Sequence, residues 1–160
     1  NKPASKPMRQ KENTMDTNTD MHKITETILS LERSALDCWN KGDIEGQLRY
    51  YAEDVTYFDP ITATRLDGWQ AVAEYFRTCW AGKVRIARCE ILNPQVITDG
   101  NLAVLSYNLV NYVHDADGSE MEGTRWNSTL VYRRTGDQWR GVHVNWSFTK
   151  HPAATQGLAT

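Results

Sequence analysis

The chain is predicted to be an α+β domain in which three N-terminal helices wrap a cone-shaped, curved antiparallel sheet. Two observations carry this reading. Up to Trp80 the apolar residues recur at helical spacing, and from Val84 onward they recur every second residue. The second half is also punctuated by turn sequences at Asp99-Gly100-Asn101, Asp115 to Gly118 and Thr135 to Asp137, the pattern of a meander.

Each element has its own justification. Ile24, Ile28, Leu31, Ala35, Cys38 and Trp39 share one helical stripe, and Gly42 ends that helix. Asp43 is placed to cap a short second helix carrying Ile44, Leu48 and Tyr51. A strand from Val55 to Asp59 then stops at Pro60. Asp67, with Gln70 three residues on, forms an acidic variant of a capping box for a third helix, whose apolar face is Trp69, Val72, Phe76 and Trp80. Strands are expected at about 84–98, 101–114, 121–134 and 138–149, with a bulge or bend at Asn93-Pro94 because proline removes a ladder donor. The single domain is expected to cover residues 21–150. Residues 1–20 are polar and poor in large aliphatics and read as a flexible arm, and residues 151–160 as a flexible tail.

Composition narrows the partners. A net charge of −2 and a pI near 6.1 provide no basic footprint, so no nucleic-acid partner is expected. No apolar run approaches the roughly 18 residues of a membrane span, so no membrane partner is expected either. The expected location is cytoplasmic, with an exported form whose signal has been removed as the alternative. Cys38, Cys79 and Cys89 are odd in number and form no CxxC, and read as reduced, buried small hydrophobes. No nucleophilic triad, phosphate loop or zinc spacing is present, so no cofactor and no metal are expected.

The stretch Gly123 to Lys150 presents two faces that both need cover. Val142, Val144, Trp146 and Phe148 alternate with Gly141, His143, Asn145 and Ser147. Helices can cover the apolar face. The other, with Asn127, Thr129, His143 and Asn145 turned outward, argues for a homodimer or a larger ring.

The runs WNKGDIEGQLRYYAEDVTYFDP, GWQAVAEYFRTCW, ILNPQV and QWRGVHVNWS resemble the nuclear transport factor 2-like (cystatin-like) superfamily, with its polyketide-cyclase-like and ketosteroid-isomerase-like members. Within it the chain is most similar to the association (hub) domain of calcium/calmodulin-dependent protein kinase II, over about residues 24–149. Tyr75, Phe76 and Trp80, the Ile91-Leu92-Asn93-Pro94 run, and Trp139 with Val142, His143 and Ser147 carry that likeness. The resemblance implies a cone that associates through its outer sheet face, with a deep basic pocket for a small carboxylate. The positions matching those basic residues are Val72, Leu109, Leu130 and Trp146, all apolar here. The implied pocket is therefore uncharged, and a carboxylate buried in it would lack a cationic partner.

Three constellations are candidates for chemistry. Asp59 stands where the resemblance to ketosteroid isomerases places a general base, a family that also serves as a standard example of pKa tuning. The isomerase's oxyanion tyrosine corresponds to Ala35, and its second acid has no counterpart among the inward strand positions. The plainer reading is that Asp59-Pro60 ends a strand and caps a turn. His143 is expected on the outer face as a hydrogen-bonded interface histidine. Trp39, Tyr57, Val72, Phe76, Trp80, Tyr107, Leu109, Trp126, Ser128, Leu130 and Trp146, with Asn111 nearby, are expected to line a pocket for a small hydrophobic molecule. Arg65 and Arg125 read as exposed ion-pair members. Two functions follow as expectations: a stand-alone, self-associating hub-like domain with an apolar pocket, or a cofactor-free isomerase, cyclase or dehydratase using Asp59 as base.

Overall fold

A computed structural model of the chain describes residues 9–149, with side chains from Thr19 onward. The elements run α1 (Arg9–Asn40), α2 (Ile44–Leu48), β1 (Tyr51–Phe58), β2 (Leu66–Asp67), α3 (Trp69–Cys79), β3 (Arg88–Thr98), β4 (Leu102–His114), β5 (Glu120–Thr135) and β6 (Gln138–Phe148). All strands join one six-stranded sheet of order β2-β1-β6-β5-β4-β3. From β3 to β6 it is the expected antiparallel meander. β1, however, lies beside β6 and parallel to it, with Thr56 opposite His143 and Phe58 opposite Asn145. The sheet is therefore mixed, not purely antiparallel. A parallel neighbour needs a long crossover, and here everything from β2 to β5 supplies it.

Register shifts fall between Leu92 and Gln95, Val110 and Tyr112, and Val131 and Tyr132. Bulges bend the strand that carries them, which gives the sheet its curvature. The first is the one expected at Asn93-Pro94, and Asn93 there has φ 49°. The last changes the phase of β6. Tyr132 faces Gly141 while Val131 faces His143, so Val142 is skipped. Gly141, expected outward with His143, is instead buried with Trp139 and Val144, and Val142 is only half-buried. A Cβ on Gly141 would come within 3.2 Å of the Tyr51 ring, so this close approach of backbone to ring suits glycine.

Several boundaries differ from expectation. α1 begins at Arg9, so residues 9–20, expected in the arm, extend the helix. Residues 1–8 and the expected tail at 151–160 lie outside the described residues. Tyr51 opens β1 instead of closing α2. Gly42, with φ 72°, ends α1 as expected, its N–H returning to the Trp39 carbonyl at 2.8 Å. Asp43 caps α2 through Oδ1, which accepts the Gly46 N–H at 2.8 Å. The capping box at α3 does not form, because Gly68 is the N-cap and makes no side-chain cap bond. Asp67 is held in the β1–β2 ladder and accepts from Arg65 Nε at 2.6 Å. The three cysteines are free, as expected, but each is half-buried.

α1 packs on β3 and α2, and α3 on β1 and β2. Ile28, Leu29 and Leu36 of α1, Leu48 of α2, and Val72, Ala73 and Phe76 of α3 meet Leu105, Leu109, Leu130 and Val144 on the inner sheet face. That arrangement closes one end of the cone as core and leaves the other open.

Candidate functional site

Between the helices and the inner sheet face lies a cavity of about 530 Å3, within the size range of small-molecule sites. Trp39, Phe76 and Trp80 form its helical wall, Trp126, Trp146 and Phe148 its strand wall, and Tyr51 and Tyr57 of β1 join them. Trp39 and Trp80 are inclined at 65° and Trp126 and Trp146 at 80°, while Trp126 and Phe148 lie at 36°. They wall the space instead of stacking flat on one another.

Of the residues expected in the pocket, Trp39, Tyr57, Phe76, Trp80, Leu109, Trp126 and Trp146 line the cavity. Val72, Tyr107, Ser128 and Leu130 do not; they are buried beneath it, at 0%, 5%, 3% and 2% exposure. The β4–β5 ladder explains the difference. Leu109 and Trp126 are opposite each other at the wall; one step inward the pair is Tyr107 and Ser128, and the next is Leu105 and Leu130, already core. Trp146 covers Tyr107 edge-on, with ring centres 5.9 Å apart. Of Val72, Leu109, Leu130 and Trp146, the positions the resemblance assigns to the hub's basic residues, Leu109 and Trp146 reach the cavity.

Asp59 follows the end of β1 and lines the cavity. Its Oδ2 accepts the hydroxyls of Tyr57 at 3.0 Å and Tyr75 at 2.8 Å. Its Oδ1 accepts the backbone N–H groups of Ile61 at 2.9 Å and Thr62 at 3.0 Å. A carboxylate offers about four lone-pair sites, and all of them are engaged within the protein. Asp59 thus closes the turn at Pro60 and orients two phenols. Asp59→Asn turns one acceptor oxygen into a donor, so either the phenols or the turn N–H groups lose a partner. It should lower unfolding stability by about 1–2 kcal/mol in urea titration, and an unchanged midpoint would show that these bonds contribute nothing.

His143 is on the other face of the sheet. Its Nδ1 is 2.7 Å from Thr56 Oγ1 and its ring centre 5.5 Å from that of Phe58. Burial, then the positive charge of Arg65, holds its pKa below the ordinary imidazole value. Asn127, Thr129 and Asn145 share this outer face, where Asn127 Oδ1 accepts from Asn108 Nδ2 at 2.8 Å. Arg65 and Arg125 pair with Asp67 and Glu122 in exposed ion pairs.

Sequence reasoning missed Glu32. This α1 carboxyl is 2% exposed under the cavity floor. Tyr107 and Tyr132 both donate their hydroxyls to it, the latter at 2.5 Å. Burial pushes its pKa up, and the two phenol bonds oppose that rise. Burial first, then the charge of Glu32, raises both phenols in turn. A signal was available: Glu32 is four residues after Ile28 and four before Leu36, squarely on the buried stripe. Two amides were missed as well. Asn40 and Gln47 line the cavity with Asn111, and Asn40 Oδ1, Gln47 Oε1 and Asn111 Oδ1 are buried with no hydrogen-bond partner. Gln47 Nε2 donates to the Tyr51 hydroxyl at 2.9 Å, and Asn40 Nδ2 to Cys89 Sγ at 3.2 Å.

No group of three His, Cys, Asp or Glu side chains among the described residues could hold a metal ion. No described helix is long and apolar enough to cross a membrane.

Comparison with known proteins agrees with this architecture. No curated protein sequence matches the chain. Among solved structures, a candidate ketosteroid isomerase from Parabacteroides distasonis is 32% identical with a TM-score of 0.68, covering 81% of this chain and 90% of that one. A nuclear transport factor 2-like protein of unknown function from Pseudomonas putida is 25% identical with a TM-score of 0.68, over 83% of this chain and 92% of its own. The calcium/calmodulin-dependent kinase II hub homology domain of Chlamydomonas reinhardtii shares the fold, with 18% identity, a TM-score of 0.66, and coverage of 79% and 98%. The family model of the calcium/calmodulin dependent protein kinase II association domain matches residues 19–150. The chain is a member of that association-domain family, on a nuclear transport factor 2-like fold.

Proposed function

We propose that the chain acts as a self-associating, hub-like domain whose outer sheet face docks on a second copy and whose cavity takes a small, largely apolar molecule. The open face carries this reading. One register row runs Asp67, Thr56, His143, Val131, Val104, Ile97, with Val104 36% and Ile97 64% exposed. The next runs Phe58, Asn145, Thr129, Ser106, Gln95, and the one after it Ser147, Asn127, Asn108, Leu92. Its centre is uncharged, with amides and hydroxyls among apolar side chains, and depletion of charge at the centre is what distinguishes interface cores from other surface. Sedimentation velocity at micromolar concentration is expected to show a dimer or a larger closed assembly. A stable monomer would remove the proposal.

A cofactor-free isomerase, cyclase or dehydratase is the second reading. The relative from Parabacteroides distasonis and the position of Asp59 at the cavity favour it. Against it stand the four internal donors already on Asp59 and the alanine, Ala35, where an isomerase would hold an oxyanion donor. Turnover of any identified substrate that survives Asp59→Asn would end this reading.

A further inference from the structure

The cavity has a charge character that its apolar walls conceal. Trp39, Trp80, Trp126 and Trp146, with Tyr51 and Tyr57, ring it with aromatic surface, and the face of an aromatic ring is its electronegative side. The three lining amides, Asn40, Gln47 and Asn111, have their oxygens buried and without a hydrogen-bond partner. Gln47 and Asn111 are both only 8% exposed, and leaving such groups without a partner is costly unless something compensates. Asp59 contributes a carboxylate that already accepts four hydrogen bonds from the protein. Lys83 and Arg85 are the cations among the lining residues, and both are exposed. Donors are present in the wall as well, among them the buried Trp80 Nε1.

We infer that the cavity selects a small organic cation, a quaternary ammonium group seated among the tryptophans, over neutral or anionic molecules of the same shape. The inference rests on the reading of the cavity as a ligand pocket and names the ligand class. Each feature points the same way. Aromatic faces attract a cation most strongly when water is excluded, and tryptophan does so best. The lone pairs of Asp59 are already taken and the amide oxygens are covered, so neither is free to receive N–H donors from a ligand. The negative charge of Asp59 remains at the wall. A quaternary ammonium, which has no N–H to satisfy, fits such a site better than a primary amine. An anion would meet aromatic surface and Asp59, with no buried cation among the lining residues to offset them. Lys83 and Arg85 oppose the approach of a cation, but they act through solvent and are screened by salt.

The test is isothermal titration of the full chain with three compounds that share a benzyl group and a tetrahedral head. These are benzyltrimethylammonium, the neutral dimethyl benzyl carbinol and the anionic benzylsulfonate. The cation is expected to bind at least about tenfold more tightly than the carbinol, and the sulfonate most weakly. Trp126→Leu, at a half-buried wall position, should lower the ratio of cation to carbinol affinity. Carbinol or sulfonate binding as tightly as the cation would overturn the inference and leave the pocket reading standing. No binding by any of the three would overturn both.

Discussion

Glu32→Ala should cost about 3–5 kcal/mol of folding stability, because it strands two phenols at once. Tyr107 and Tyr132 are 5% and 2% exposed and both direct their hydroxyls at the Glu32 carboxyl. With alanine both lose the carboxyl acceptor. Glu32→Gln keeps the shape and offers one acceptor and one donor, so it separates shape from charge. In the unfolded chain Glu32 titrates near the usual glutamate value of about 4.3. In the folded chain burial holds it higher. The stability contributed by the protonated form is therefore complete below about pH 4.3 and is lost as pH rises through the folded-state pKa. Wild type should lose stability relative to Glu32→Gln between acid and neutral pH in urea titrations. Asp54 and Asp67, whose arginine partners lower their pKa values, slope the opposite way. They are common to both proteins and cancel in the difference. Parallel curves would mean that burial does not govern this carboxyl.

The double change Asn127→Asp with Asn145→Asp should weaken assembly by at least about 3 kcal/mol, more than roughly a hundredfold in Kd. Both residues are on the outer face, in adjacent register rows. As amides they donate as well as accept; Asn127 Nδ2 reaches Ser147 Oγ at 3.4 Å. As carboxylates they would bring like charges into the face proposed to meet its own copy. Added salt should restore part of the loss. The fold itself should tolerate the change, because neither residue is buried in the subunit. Concentration-dependent sedimentation reads the effect, and an unchanged association would mean that the contact lies elsewhere.

The order of the elements was legible because the hydrophobic period changes cleanly after Trp80 and the turns carry Gly, Asn and Asp. Pairing was less legible. Nothing in the alternation of Val55 and Tyr57 shows that β1 lies parallel to a strand ending at Phe148. The phase of β6 was misread because a bulge is invisible to strict alternation, which put Gly141 on the wrong face. Depth was the third gap. Leu109 and Leu130 look alike as inward strand residues, and only the ladder shows that one is cavity wall and the other core. Glu32 was passed over because a charged residue on a helix is normally read as solvent-facing. Gln47 was passed over because a five-residue helix has too little period to separate its faces.

The place of β6 between β1 and β5 also bears on how the molecule comes together. Thr56 and His143, which meet across the β1–β6 pair, are 87 residues apart in the chain. Loop closure of that length must precede its reward, so folding should be slow for a domain of this size. During synthesis β1 and the meander up to β5 emerge before the strand that joins them. Until residues 138–148 are available, β1 and β5 each present an unpaired edge, and such edges are where nascent chains pair wrongly with one another.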